Sequence, residues 1–455
     1  MATLSAGSRQ PDFVVPALRR GFQAQIRLPG SKSIALRQLA MAALTDGVTR
    51  LSGIPPCDDT GAMLACLTEL GAKIYVDGDT IMVTGPINRS AQNVHLDAHM
   101  SGASTRLLIG LAALRSGTTL IDGHESLRVR TNAPLFATLR EHGCRIDAEG
   151  GGLPAQLQGV FTPPPVIEID GSLSSQYVTA LMLIAPYTAQ QQSQKIQRIR
   201  ITGDLVSKPY LDITLNEMSK RGVSGTWEAT DCLAIPAGTY APGDVMIEGD
   251  ATAATYFTAL ATLHQANLHL TNLDDTSVQG DQKFNQLLSA MGSKICYQDG
   301  TYIRGPNKLE PVYFADMKTM PDAALTLLAM APLLPFPMRI GGLSSLHHKE
   351  CDRLECPAAE LRSIGYQAHT TSEDSIRFDH ASDPNHRNAA VRWTLREHRL
   401  NTYHDHRMAM AFSLLGSFTG TLTLDDPSVV KKTYPSYWDD YQRLLNAPND
   451  SEQGR

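Results

Sequence analysis

Charged and hydroxyl residues in this chain gather in short stretches, each placed where an apolar run begins. In LPGSKS (Leu28 to Ser33), Lys32 and Ser33 follow Gly30, and Arg37 lies one helical turn further on. A lysine and hydroxyls at a strand-to-helix junction can hold an anion against free backbone N–H groups. The G-x-x-x-x-G-K-[ST] spacing of a nucleotide phosphate loop is missing. In ESLRVRTNAPL, Arg128 and Arg130 alternate along a segment read as extended, which directs both to one side to grip a carboxylate or phosphate. SSQY supplies Ser174, Ser175 and Gln176 at a helix start, and SKPY supplies Ser207 and Tyr210 after a strand. These are uncharged donors for hydroxyl or phosphate oxygens.

The C-terminal half is denser in charge. MPDAA places Asp322 at a helix start, HHKECDRLE packs Lys349, Glu350, Asp352 and Arg353 together, YHDHRMAM carries His406 and Arg407, and VVKKTYP brings Lys432. A carboxylate among lysines and arginines stays ionised and can serve as a base. A lysine among cations can have its pKa lowered and serve as an acid. Taken singly, each stretch reads equally as a capped helix or a solvated loop. His404 and His406 beside Asp405 lack a second cluster at ligand spacing, so no metal is expected. Cys351 has no His-Asn pattern to make it a nucleophile.

The whole chain has 455 residues, 42% of them hydrophobic, and a formal charge of -6. That length suits two domains of roughly 200 residues each. So mild a charge offers no global field for nucleic acid or an acidic membrane, and cations that receive an anionic substrate must be clustered locally. Seven cysteines without a C-x-x-C pair argue for a reducing compartment, and a cytoplasmic location is expected. No apolar run approaches the roughly 20 residues of a membrane span, and no secretory signal leads the chain. The first dozen residues are polar, with a single arginine, and read as a disordered tail.

The elements that must position these residues repeat. A small or polar start, an Ala- and Leu-rich helix, a break and an alternating strand recur from Ser31, Ser101, Ser172, Asp250, Met320 and Asp405. Apolar periodicity over about a dozen residues predicts helix, and the alternation after it predicts strand. Most copies add a second amphipathic helix ending at glycine, as in ACLTELGAKI, ATLREHGCRI, LNEMSKRGV, NQLLSAMGSKI and AAELRSIGYQA, where the glycine fits a left-handed C-cap. Three copies per half predict two similar α/β domains. The starts of the first helices offer N-caps and free N–H groups, so several of them together would build a cationic cleft within a net acidic chain.

Taken in order, these motifs resemble the 5-enolpyruvylshikimate-3-phosphate synthase family. LPGSKS with Arg37, SSQ, SKPY, GDA at Gly249, QGD at Gln279, PDAA, KExDRL at Lys349, DHRMAM and KTYP run in register from Leu28 to about Leu444. The resemblance implies a two-domain inside-out α/β barrel of three βαβαββ units per half, closing on substrate. Its domains would be residues 30–247 and residues 1–29 plus 248–455, with crossings near Pro29 and Glu248. It implies transfer of the enolpyruvyl group of phosphoenolpyruvate to the 5-hydroxyl of shikimate 3-phosphate by a monomer, with no metal or organic cofactor. Phosphoenolpyruvate would be held by Lys32, Gly102, Arg130, Gln176, Arg353, Arg407 and Lys432. Shikimate 3-phosphate would be held by Ser33, Arg37, Ser174, Ser175, Gln176, Ser207, Tyr210, Asp322 and Lys349. Lys32, Asp322 and Glu350 would be catalytic, with Asp322 at the attacking hydroxyl and Glu350 at the methylene carbon.

The chain departs from the family pattern in places. HMSGAST has Met100 where asparagine is usual and Ala103 where threonine is, KSIALR has Leu36 in place of asparagine, and Thr131 follows Arg130 where proline is normal. These departures keep open a sibling transferase acting on another cyclic alcohol, and a ligand-binding relative without catalysis is a further alternative. The UDP-N-acetylglucosamine enolpyruvyl transferases rely on a cysteine in the loop matching Gly123 to Pro134, and none is present there. An RNA-acting cyclase would need a basic surface that the composition does not indicate.

Overall fold

Six helices among the described residues are apolar on nearly every side, and helices of that kind must lie inside. Every residue of Ala251–Leu263 and of Ala324–Met330 is buried. Lys32–Leu44 is buried from Ile34 onward, and His406–Thr419 from His406 to Ser417. Gly102–Ala112 and Ser175–Gln191 are buried along almost their whole lengths. The computed structural model describes residues 12–347, 349–379 and 397–449. The tail expected before residue 12 lies outside these described residues.

The chain forms two compact units. One contains Pro29–Asp250 and Thr276–Gly280; the other contains the described residues before Pro29, Ala251–Asp275 and the described residues from Asp281 on. In the first unit, helices Lys32–Leu44, Gly102–Ala112 and Ser175–Gln191 pack on one another. In the second, Ala251–Leu263, Ala324–Met330 and His406–Thr419 do the same. Small sheets cover these helices, and their strands alternate between buried and exposed residues, as in Ile196–Thr202. Helices lie at the centre of each unit and sheets outside, the reverse of the usual α/β order.

The repeat is visible in strand pairing. In four copies the strand before the long helix pairs in parallel with the strand after it: Val94–Asp97 with Thr119–Asp122, and Val166–Asp170 with Ile196–Thr202. Phe314–Asp316 pairs likewise with Met338–Gly341, and His398–Leu400 with Leu422–Leu424. The remaining two copies borrow their first strands from elsewhere in the chain. Gly243–Met246 pairs with Gly47–Ser52, and Gln23–Ile26 with Asn267–Leu270. Such a parallel pair needs a crossover, which the buried helix supplies in the four copies with a strand on either side of it. Among the described residues, five of the six sheets have four strands and the sixth has three, with Phe13–Val14 antiparallel to Leu422–Leu424.

The second helices also end as the sequence indicates. Gly71, Gly143, Gly222, Gly292 and Gly365 all have φ between 85° and 105°, where a side chain would be strained. Segment 125–130 differs from expectation. It is a helical turn, Glu125–Arg128, in which His124 caps Ser126, rather than an extended stretch. Arg128 consequently turns away to a bidentate pair with Asp122 at 2.7 and 2.9 Å.

Candidate active site

In the C-terminal unit, the six residues singled out from sequence form one connected set. Asp322 sits in the turn before helix Ala324–Met330. Its Oδ1 accepts from Arg353 at 3.1 Å, its Oδ2 accepts from Arg407 at 3.1 Å, and Lys349 Nζ stands 3.9 Å away. Glu350 accepts from Lys432 at 2.6 Å and pairs with Arg353 at 2.9 Å. Lys432 ends a short 3-10 turn, where it is 6% exposed while its neighbour Lys431 faces solvent. Cations placed this close to carboxylates are held in position before any substrate arrives, the condition for electrostatic catalysis.

Arg353 is the centre of this set and is only 2% exposed. Burial works against its charge, yet Asp405, Glu350 and Asp322 hold its pKa above the ordinary value. Asp405 is fully buried and takes Arg353 in two bonds of 2.7 and 3.1 Å. Its Oδ1 also caps helix His406–Thr419 through the Arg407 N–H at 2.9 Å. One carboxylate thus fixes both arginines, Arg353 through its side chain and Arg407 through the helix start. His406, 1% exposed, has its pKa lowered far below normal by burial and by Arg407 and Lys432, so it is neutral.

In the N-terminal unit Lys32, Ser33, Gly102 and Ser174 to Gln176 stand at the starts of the central helices, and Ser207 and Tyr210 at the start of helix Pro209–Lys220. Lys32 pairs with the buried Asp59 at 3.0 Å, and its backbone N–H donates to Asp250 at 3.2 Å. Arg37 is buried, and burial lowers its pKa to about 10. Its guanidinium donates to the Ser33 carbonyl at 2.7 Å, the Tyr210 carbonyl at 3.0 Å, Thr214 at 2.8 Å and Thr179 at 3.4 Å. Arg37 therefore ties together three segments, those of Ser33, Thr179 and Tyr210. Ser174 caps helix Ser175–Gln191 through the Gln176 N–H at 3.2 Å, leaving Ser175 buried and Gln176 partly exposed. Ser207 is held at φ 56°, a conformation costly for a serine and typical of functional turns.

Gly102 opens helix Gly102–Ala112 beneath two guanidinium groups. Arg106 donates to the Gly102 carbonyl at 2.8 Å and to the Thr131 carbonyl at 3.3 Å. Tyr177 donates to the same Thr131 carbonyl at 2.7 Å, which links the Arg130 segment to the helix carrying Gln176. A methyl carbon at Gly102 would lie 2.7 Å from Nη1 of Arg130, so the two residues are in direct contact.

Several participants were not singled out from sequence. Asp59 pairs with Lys32 from the start of helix Asp58–Glu69, and no local spacing joins the two. Asp405 was read as a helix start and N-cap and as a neighbour of histidines, but its pairing with Arg353 was not foreseen. Arg106 stands one turn after Gly102 and could have been found from that spacing. Among the described residues, no group of His, Cys, Asp and Glu stands together as a metal site, and no helix is long and apolar enough to cross a membrane.

A family model for EPSP synthase (3-phosphoshikimate 1-carboxyvinyltransferase) matches residues 19–441. A 3-phosphoshikimate 1-carboxyvinyltransferase of Bordetella petrii is 34% identical over 97% of this chain and 99% of its own. One of Aliivibrio fischeri is 34% identical over 92% of this chain and 96% of its own. In fold, the chain is similar to an EPSP synthase from Acinetobacter baumannii, with a TM-score of 0.75 at 20% identity over 95% of this chain and 97% of that one. It is also similar to the enolpyruvyl transferase NikO from Streptomyces tendae, with a TM-score of 0.72 at 16% identity over the same shares. Motif order, repeat architecture and these full-length matches agree: the chain belongs to the EPSP synthase family of enolpyruvyl transferases.

Proposed function

We propose that this protein transfers the enolpyruvyl group of phosphoenolpyruvate to the 5-hydroxyl of shikimate 3-phosphate and releases phosphate, a step toward aromatic amino acids. The reading is carried by one observation: two carboxylates, Asp322 and Glu350, are each bonded to cations in a single set. Two acid–base groups and a surplus of positive charge are what joining two anionic substrates requires.

The chemistry follows from those parts. Asp322 takes the proton of the attacking hydroxyl as its oxygen bonds to carbon 2 of phosphoenolpyruvate, while carbon 3 gains a proton from an acid group. The tetrahedral adduct then loses phosphate from carbon 2 and a proton from carbon 3, which restores the double bond. Glu350 handles the proton at carbon 3, and Lys32 and Lys432 serve as cations and proton donors near the departing phosphate. Arg130, Arg353 and Arg407, with Gly102 and Gln176, hold phosphoenolpyruvate. Ser33, Arg37, Ser174, Ser175, Gln176, Ser207, Tyr210 and Lys349 hold the acceptor, with Arg37 also orienting the backbone at Ser33 and Tyr210.

Leu36 and Ala103 lie in the helices that begin at Lys32 and Gly102, and Met100 lies in the turn just before the second, so the acceptor itself has to be tested. Phosphate release should be measured with phosphoenolpyruvate and shikimate 3-phosphate beside a panel of other phosphorylated cyclic alcohols. The proposal expects the highest kcat/KM with shikimate 3-phosphate. A clear preference for another alcohol would make the protein a sibling transferase, and no release with any would leave a binding protein.

A further inference from the structure

The loop that carries Lys349, Glu350 and Arg353 is closed at its base by a side chain that the mechanism does not use. His347 Nδ1 lies 2.8 Å from Oδ2 of Asp352, and its Nε2 lies 2.8 Å from the backbone carbonyl of Glu373. Both partners are acceptors. A neutral imidazole has one N–H and one lone pair, so it can satisfy only one of them; the imidazolium, with two N–H groups, satisfies both. The contacts therefore select the protonated ring.

Each partner is anchored in turn. The other oxygen of Asp352 accepts from the N–H groups of Leu354 and Glu355, both at 3.0 Å, and so starts helix Glu355–Ser363. Glu373 lies in the turn between strands Ala368–Ser372 and Ser375–Phe378. The same turn binds the start of the loop, with Ser344 N–H donating to the Asp374 side chain at 2.8 Å. Arg353 N–H donates to the Leu346 carbonyl at 3.1 Å and completes the closure. Lys349 and Glu350 thus project from a loop clamped between a helix start and a hairpin.

We propose that His347 is a positioning residue, whose imidazolium staples this loop to helix Glu355–Ser363 and to the 372–375 turn and so holds Lys349 and Glu350 in working geometry. This rests on the transferase reading above for its activity consequence, though the staple itself does not. The charged groups facing the ring are Asp352 on its own loop and Glu373 on the hairpin, with Asp374 on the same turn. The hydrogen bond that the ring donates to Asp352 is the main cause that raises the His347 pKa above the usual 6.5. The staple is therefore closed below that raised pKa and opens as the pH climbs through it.

Two measurements test the proposal separately. NMR titration of the histidine ring protons in the full chain should give His347 a pKa above 6.5 in wild type and near the ordinary value in Asp352→Asn. A wild-type pKa at or below 6.5 would overturn the staple whatever the protein catalyses. The pH profile of phosphate release should show kcat falling roughly 10-fold on the alkaline side, the scale of a misplaced catalytic group. His347→Arg keeps a permanent cation with several donors and should flatten that limb. His347→Ala, with folding checked by circular dichroism, should be slow at every pH and lack the limb. An alkaline limb that persists unchanged in both variants would refute a positioning role. Wild-type inactivity on every acceptor would refute only the transferase reading, because the NMR result stands by itself.

Discussion

Gly102→Ala should separate the two substrates. An added methyl carbon would stand 2.5 Å from Nη1 of Arg106 and 2.7 Å from Nη1 of Arg130, with Cζ of Arg130 at 3.1 Å. Ordinary contact needs 3.4 to 4 Å, so the nearer nitrogens must retreat by about 1 Å. Arg106 is anchored on the Gly102 and Thr131 carbonyls and resists. Arg130 is only half-buried and gives way. A misplacement of about 1 Å at a positioning group costs up to about 10²-fold. KM for phosphoenolpyruvate should accordingly rise about 10- to 100-fold, equivalent to about 1.4 to 2.7 kcal/mol. KM for shikimate 3-phosphate should move by no more than about twofold, since Ser33, Ser174 and Tyr210 are untouched. Steady-state phosphate release with each substrate varied in turn reads this directly. Equal losses for both substrates, or an unchanged KM for phosphoenolpyruvate, would refute the placement of Arg130 over Gly102.

Other perturbations follow from the same geometry. Glu350→Gln should lower kcat about 10²-fold or more while leaving KM for phosphoenolpyruvate unchanged or lower, because Lys432 and Arg353 lose a competing anion; single-turnover kinetics would check it. Lys32→Ala should harm both KM and kcat, since Lys32 neutralises charge in the ground state as well, and isothermal titration with phosphoenolpyruvate would read the binding part. Asp405→Ala leaves buried Arg353 without its two-bond partner and should cost about 3 to 5 kcal/mol in urea denaturation. Burial lowers the His264 pKa from 6.5 to about 4, so the unfolded chain binds its proton first as acid is added. Its contribution is present above pH 6.5 and is lost as pH falls toward 4, by up to about 3 kcal/mol. Melts of wild type and His264→Gln across that range should differ in slope.

Much of this was legible in the sequence because the repeat imposes it. Six apolar helices had to be buried, and the five glycines after the second helices announced their turns. Asp322, Lys349, Glu350, Arg353, Arg407 and Lys432 were marked by charge set against apolar runs. What escaped were partners defined only by the fold. Asp59 meets Lys32 because helix Asp58–Glu69 packs on Lys32–Leu44, and nothing near either residue signals it. Arg128 was read as the companion of Arg130, but a cap from His124 winds the segment into a helical turn and sends Arg128 to Asp122. Three segments meeting at Arg37 could likewise be known only once helices and turns were in place.

The central claim is that this chain joins phosphoenolpyruvate to shikimate 3-phosphate by addition and elimination, with a proton gained and lost at carbon 3. Running the reaction in deuterium oxide and analysing product by mass spectrometry and NMR tests it most directly. The account predicts an enolpyruvyl ether of shikimate 3-phosphate with deuterium in its methylene group, because carbon 3 passes through a methyl stage. It predicts that Glu350→Gln suppresses that label along with turnover. Product formed without deuterium at carbon 3, or no ether from these two substrates, would contradict it.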